Sequence, residues 1–321
     1  MQRVIQLSIV RFCFRGHLVN TRNTKADLTL LLVAAIWGFA FVAQRVGMDH
    51  LGPFGFNAAR FLLGALSLLP LLWIIKNQHP LTPSSPLLKA GLLTGLLLFS
   101  GASLQQVGLV HTTAGNAGFI TGLYIIFVPI IGLFFMQKNG LNTWVGAVLA
   151  VIGLYFLSVN EGFSINQGDI YELAGAVFWA LHVIAIGYVA PKVDNLRLAI
   201  VQFIVCGVLC LAIACYAEID LLTLHNLTLS WLPIAYAGVM SVGIAYTLQI
   251  VAQKNTSPSH AAIIMSLEAL FAAFGGWLML DETLDNRAML GCALMLAGMI
   301  IAQIRFSRPL KFDQTECPTQ R

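Results

Sequence analysis

Apolar segments of about twenty residues recur from residue 27 to residue 305, and the breaks between them are short. At 1.5 Å of rise per residue, a helix of about 20 residues matches the roughly 30 Å hydrocarbon core of a bilayer. Ten such spans are expected, near 27–47, 54–75, 87–109, 112–136, 142–159, 169–190, 196–216, 230–252, 258–280 and 286–305. The breaks hold turn residues, among them Gly52-Pro53, Asn139-Gly140 and Ser257-Pro258. Scarcity of charge closes off the alternatives. Asp, Glu, Lys and Arg make up 10% of the 321 residues, against about 25% in soluble domains, and the mean hydropathy is +0.81. A soluble enzyme, a disordered chain and a nucleic-acid binder are thereby excluded. An all-α integral membrane protein remains, with ten transmembrane helices that each close their own backbone hydrogen bonds.

The basic residues assign an orientation. With the N-terminus in the cytoplasm, 15 of the 18 Lys and Arg fall on the inner side, Arg45 and Arg287 fall outside, and Arg60 lies within a span. The positive-inside rule then places both termini in the cytoplasm. The acids lean the other way, with Asp49, Glu161, Asp169, Glu218, Asp220, Asp281, Glu282 and Asp285 at the outer side. Residues 1–26, with Arg3, Arg11, Arg15, Arg22 and Lys25, read as a basic amphipathic tail on the inner leaflet. Residues 307–321 form a second cytoplasmic tail. The six cysteines show no CxxC pair or metal-ligand spacing and are expected to be small packing residues.

The two halves of the chain align. Leu104-Gln105, Thr112, Ala117, Leu123, Phe127 and Gly132 recur at an offset of 144 as Leu248-Gln249, Thr256, Ala261, Leu267, Phe271 and Gly276. Trp37 pairs with Trp179 and Phe61 with Phe203 at 142, and Gly146 and Gly153 pair with Gly291 and Gly298 at 145. Residues 27–160 and 169–306 thus form two five-span repeats. An odd number of spans in each turns the second upside down, the arrangement of inverted-repeat transporters with a midplane site.

Several stretches carry a family resemblance: Ile36-Trp37-Gly38-Phe39-Ala40-Phe41, Asn57-Ala58-Ala59-Arg60-Phe61, and Ser266-Leu267-Glu268-Ala269-Leu270-Phe271 with Gly276-Trp277 and Asp281-Glu282. They resemble the EamA-type transporters of the drug/metabolite transporter superfamily over about residues 27 to 306. The resemblance implies a ten-span fold of two five-helix repeats in a bacterial inner membrane, exporting amino acids, metabolites or drugs. Many members carry Pro after the span-nine Glu; this chain has Ala269 there, which removes a proline-driven kink.

Depth along each span selects candidate site residues. Trp37 and Trp179 lie about 15 Å into their spans, Tyr124 about 18 Å, Glu268 about 15 Å and His182 about 20 Å. All five therefore sit near the midplane, and with Phe41 they form the candidate substrate-binding set. Phe41 and Gln44 share the Trp37 face of span one. Glu268 reads as the only acid deep in a span, where charge costs about 2.5–3.5 kcal/mol. It either holds a substrate amine or a coupling proton, or makes a structural hydrogen bond. Arg60 lies about 9 Å below the outer surface and Glu268 about 18 Å, a gap that strains direct pairing. Arg60 either gates or contacts substrate, or serves the structure. Gln105 and Gln249, near opposite surfaces, are gate candidates. His260, near a helix start, is explained by capping. Gly91/Gly95 and Gly118/Gly122 have the spacing of close helix packing.

No Walker sequence, HExxH or GxSxG is present, which disfavours a membrane-embedded enzyme; a scaffold would need no midplane polar groups. The expected function is a secondary transporter exporting an amino acid or similar small metabolite, with drug or organic-cation efflux as the alternative. One intramembrane cation disfavours strongly anionic cargo. No cofactor, metal or nucleic acid is expected. The expected partners are a small-molecule substrate and the bilayer. Proton coupling, and a monomer or homodimer, stay open.

Overall fold

The computed structural model describes residues 24–75, 84–112, 114–135, 139–158, 167–279 and 286–303. The N-terminal tail up to residue 23, the C-terminal tail, Cys13, Cys317 and the acids Asp281, Glu282 and Asp285 lie outside these residues. Every regular element among them is helical: α1 (Thr24–Gly47), α2 (Pro53–Ile75), α3 (Ser84–His111), α4 (Ala114–Gly122), α5 (Tyr124–Phe134), α6 (Leu141–Ser158), α7 (Gln167–Val189), α8 (Asn195–Ala217), α9 (Leu224–Leu229), α10 (Trp231–Ala235), a π-helical segment (Tyr236–Tyr246), α11 (Thr247–Gln253), α12 (Pro258–Met265), α13 (Glu268–Met279) and α14 (Asn286–Gln303). Among the described residues, eight stretches are long and apolar enough to cross a membrane, counting Ala117–Phe134, Trp231–Gln253 and Pro258–Met279 as one each. The remaining two expected spans are shorter apolar helices, Leu141–Phe156 and Met289–Ala302. Outward faces are greasy: Trp73, Phe134 and Tyr216 are 80%, 83% and 92% exposed. Side chains of this kind stand open where the surrounding solvent is lipid.

Helix starts follow from local chemistry. Asp194 caps α8 by accepting from the Arg197 amide at 2.8 Å, and Ser257 caps α12 ahead of Pro258. Glu218, just past α8, accepts from the Phe54 and Gly55 amides at 3.2 and 2.8 Å. A carboxylate there satisfies free N–H groups at the start of α2 and complements its dipole.

Glycines set the closest helix approaches. Gly91 and Gly95 of α3 lie against Val201 and Val205 of α8, as their spacing predicts, whereas Gly118 makes only ordinary contact with Ala272. A methyl group on Gly146 would meet the Gly298 carbonyl oxygen at 2.6 Å, and one on Gly153 would meet that of Gly291 at 2.6 Å. Here α6 and α14 touch backbone to backbone. Cys206 and Cys210 are buried packing residues, but Cys215 is exposed.

Three spans expected to be continuous are irregular. The α4–α5 break places Leu123 N on the Ile120 oxygen at 3.1 Å, and the α12–α13 break places Leu267 N on the Ile264 oxygen at 3.2 Å. Both are i→i−3 bonds, a tightened 3₁₀-type turn. They fall at repeat-matched positions, and the second forms without a proline, so Ala269 does not straighten this helix. The third irregularity is the π segment, whose wider turns are characteristic of functional sites.

Candidate functional site

At Gly38 a methyl group would collide with Phe271 Cβ and the Glu268 carbonyl. Only glycine lets α1 lie this close to the start of α13. That contact fixes the height of the neighbouring residue, Trp37, whose indole N–H donates to the Ser241 carbonyl in the π segment at 3.2 Å. Tyr246, at the end of the same segment, is the hub of an aromatic cluster. Its ring lies 4.6 Å from Trp37, 6.1 Å from Trp179 and nearly parallel to it, and 6.3 and 6.0 Å from Phe61 and Phe203.

Trp37, Trp179 and Tyr246 of this cluster form one wall of a cavity of ≈ 460 Å³, its open part included. Of the residues singled out from sequence, Trp37, Phe41, Arg60, Gln105, Tyr124, Trp179, Gln249 and Glu268 all line it, as does Gln44. Gln105 and Gln249 therefore face one space, not two separate vestibules. His182 does not belong. It is fully buried behind Trp179, with Nε2 3.2 Å from Gln202 Oε1. Three residues along a helix is a rotation of about 60° short of a full turn, enough to send Trp179 into the cavity and His182 behind its wall, edge-on to Trp179 and Tyr246.

Arg60 is built into the wall. Its Nε donates to Asn57 Oδ1 at 2.8 Å, and Asn57 Nδ2 donates to the Ala102 carbonyl at 3.0 Å. The guanidinium lies 4.9 Å from the Phe61 ring centre. These contacts orient the group yet leave Nη2 without a partner. No ion pair joins it to Glu268, as the difference in depth predicts; among the described residues the ion pair found is His260 with Asp27 at 3.1 Å. His260 thus does more than sit at a helix start: it ties α12 to α1.

Unsatisfied polar atoms concentrate at this cavity. Besides Arg60 Nη2, they are Glu268 Oε1, Tyr124 Oη, Trp179 Nε1, Gln44 Oε1 and Gln249 Oε1. An unmade hydrogen bond on a buried group costs about 1–3 kcal/mol, so such a set demands water or a ligand. Chemically the site offers one oriented cation, one carboxyl group, amides and three large aromatic faces.

Sequence reasoning missed Tyr246, Thr121, Ser241 and Glu172. Tyr246 was findable, since it lies about 22 Å into its span by the same rise per residue. Ser241 takes part through its backbone carbonyl, which carries no side-chain signal. Glu172 shows that an acid need not lie deep in a span to be buried: it is 0% exposed. Its height, about 8 Å from the start of α7, suggests an interfacial residue; α3 and α4 close over it.

The comparisons agree with this architecture. The model of the EamA-like transporter family matches residues 24–159 and again 166–303. A protein of Archaeoglobus fulgidus called an uncharacterized transporter is 33% identical over 294 residues, covering 91% of this chain and 90% of its own. The uncharacterized inner membrane transporter YedA of Escherichia coli is 25% identical, covering 86% and 89%. YoaV of Bacillus subtilis, also an uncharacterized transporter, is 23% identical, covering 88% and 98%. One crystal structure shares the fold with a TM-score of 0.74 at 17% identity, covering 87% of this chain and 98% of its own. With family matches that cover both halves and a polar cavity enclosed by lipid-facing helices, the chain belongs to the EamA-like transporter family of the drug/metabolite transporter superfamily and is a multi-pass membrane protein.

Proposed function

We propose that the chain is a secondary transporter that exports a zwitterionic small metabolite, an amino acid or a close relative, by alternating access. One observation carries this reading: a buried guanidinium and a buried carboxyl group, unpaired with each other, line the same aromatic cavity. Arg60 takes the substrate carboxylate and Glu268 the ammonium. Trp37, Phe41, Trp179 and Tyr246 receive the side chain, and Tyr124, Gln44, Gln105 and Gln249 complete the polar contacts. The aromatic wall with Glu268 alone would also suit an organic cation; the oriented guanidinium disfavours it.

Alternating access requires two interchangeable halves. In favour of the inverted repeat, the glycine contacts are reciprocal: Gly146 meets Gly298 while Gly153, the repeat mate of Gly298, meets Gly291, the mate of Gly146. Phe61 and Phe203, also mates, lie 6.4 Å apart. Such reciprocity is what a two-fold relation produces. With both termini assigned to the cytoplasm by the basic residues, α1 runs outward and the ten-span reading follows. A reporter fused after Arg321 tests this; an extracytoplasmic signal would sink it.

The function is tested by overexpressing the protein and comparing amino acids and related metabolites in the medium with those from cells making Glu268→Ala. Accumulation of one or more zwitterions for the wild type alone is expected. No difference, or a difference confined to hydrophobic cations, overturns the reading.

A further inference from the structure

One acid that substrate binding does not use lies a single hydrogen bond behind the cavity. Glu172, in the second turn of α7, accepts from the Thr121 hydroxyl at 3.1 Å through Oε2. That hydroxyl accepts in turn from Gln105 Nε2 at 3.1 Å, and both Thr121 and Gln105 line the cavity. Glu172 Oε1 has no partner although the residue is fully buried. α3 passes so close that a methyl group on Gly108 would meet this oxygen at 2.8 Å. The space therefore admits the acid and little else. An ionisable residue kept this dry inside a membrane bundle marks a proton or ion pathway by default.

The charged and titratable surroundings are sparse. On α7 itself Asp169 lies one turn earlier and accepts from the Thr112 hydroxyl at 2.7 Å. From α1, Arg45 donates to the Leu109 carbonyl at 2.9 Å. α3 contributes only its terminal Lys89 and His111, and α4 contributes Thr121 and no titratable side chain. α5 brings Tyr124 on the cavity wall, and α12 brings His260, paired with Asp27.

We infer that Glu172 is a proton-binding site whose occupancy is read out in the cavity through Thr121 and Gln105. The inference rests on the transporter reading above, but its central step needs no particular substrate. When Glu172 is ionised it can only accept, so Thr121 donates to it and accepts from the Gln105 amide N–H; Gln105 Oε1 is then offered to the cavity. A proton taken up on Glu172 reverses the chain. The new O–H donates to Thr121, Thr121 donates to Gln105 Oε1, and the amide, turned over, presents N–H to the cavity. One O–H bond forms on uptake and the same bond breaks on release; nothing is oxidised or reduced. Tyr124, three residues after Thr121, neighbours Glu268, so the switching amide stands on the ammonium side of the site. An acceptor there holds a cationic amine and a donor releases it. Proton and substrate amine thus oppose each other, the differential affinity that exchange of one for the other requires.

The test uses the full chain in proteoliposomes, in wild-type form and as E172Q, E268Q, T121V and T121S. Infrared difference spectra between high and low pH read protonated carboxyl groups directly. Apart from any band from Glu268, which E268Q removes, a second titrating buried-carboxyl band is expected in the wild type, E268Q and both Thr121 variants, and is lost in E172Q. In parallel, a panel of labelled amino acids is loaded and a pH gradient imposed. Each pH unit shifts the steady-state ratio of a proton-exchanged substrate about tenfold; E172Q and T121V reduce that to about onefold, and T121S, which keeps the hydroxyl, restores it. Survival in E172Q of the band that E268Q retains, or a tenfold response in E172Q or T121V, overturns the inference. If no amino acid moves with wild type, the substrate reading fails, and the band still decides whether Glu172 takes the proton. Should E172Q fail to insert, the Thr121 pair decides, because it leaves the acid in place.

Discussion

Where α6 meets α14, glycine backbones touch, with one side-chain bond, from Asn142 to the Ala302 carbonyl at 2.9 Å, near the end of the pair; where α1, α7 and the π segment meet, Trp37, Trp179 and Tyr246 wall a cavity edged by unsatisfied polar atoms. Both regions are built from helices of similar apolar composition. In lipid there is little hydrophobic drive to bring one such helix against another, so backbone contact through small residues supplies the cohesion of the first region. The second gives up contact for function: its helices break at Leu123 and Ser266, widen at Tyr236–Tyr246, and point buried polar groups into the cavity. A difference in regularity, not in hydropathy, separates scaffold from site.

The largest effect expected from breaking this contrast is at Glu268. Glu268→Gln keeps the size and removes the charge; it should abolish detectable export while membrane abundance stays at the wild-type level, measured by metabolite release and immunoblot of the membrane fraction. Normal export by this variant would remove the carboxylate from the site. Next comes Arg60→Lys. The Asn57 bond and the stacking on Phe61 depend on a planar guanidinium, and losing such an oriented charge contact costs about 2 kcal/mol or more. A Kd or KM raised at least thirtyfold, on the order of that energy, is the expected reading.

The glycine-packed pair should fail differently. Gly153→Ala places a methyl group against the Gly291 carbonyl, and overpacking of this kind costs about 1–3 kcal/mol. Lower thermal stability in detergent with unchanged transport per folded molecule is expected; reduced turnover at equal stability would mean that α6 and α14 take part in the cycle. The smallest effect belongs to His182. His182→Asn loses or weakens one hydrogen bond to Gln202, worth about 1 kcal/mol, and should leave substrate affinity within a few-fold, since the ring backs Trp179 and Tyr246 and does not itself line the cavity.

What could be read from sequence divides along the same line. Span positions were legible because lipid imposes a length, and eight of the nine residues chosen for the site line the cavity because depth follows from counting along a helix. Rotation about the helix axis was not legible. A helix that is apolar all round gives no stripe to orient it, which is why His182 was grouped with Trp179. Glu172 was overlooked for a related cause: its height suggested an interface, and only the approach of Gly108 buries it. The broken spans were hidden as well. No proline marks the break before Glu268, and neither Gly238 nor Gly243 distinguishes π from α geometry in advance.

Tyr246 has neighbours in both halves of the chain, Trp37 and Phe61 in the first and Trp179 and Phe203 in the second. Indole emission responds to its immediate surroundings, and two of the six tryptophans stand against this one phenol. A tilt of one half against the other changes the Trp37 spacing, while the Trp179 spacing, internal to the second half, serves as the reference. The molecule thus carries an intrinsic optical gauge at its centre, one that reports on the aromatic wall without a label and can be isolated by replacing the remaining four tryptophans with phenylalanine.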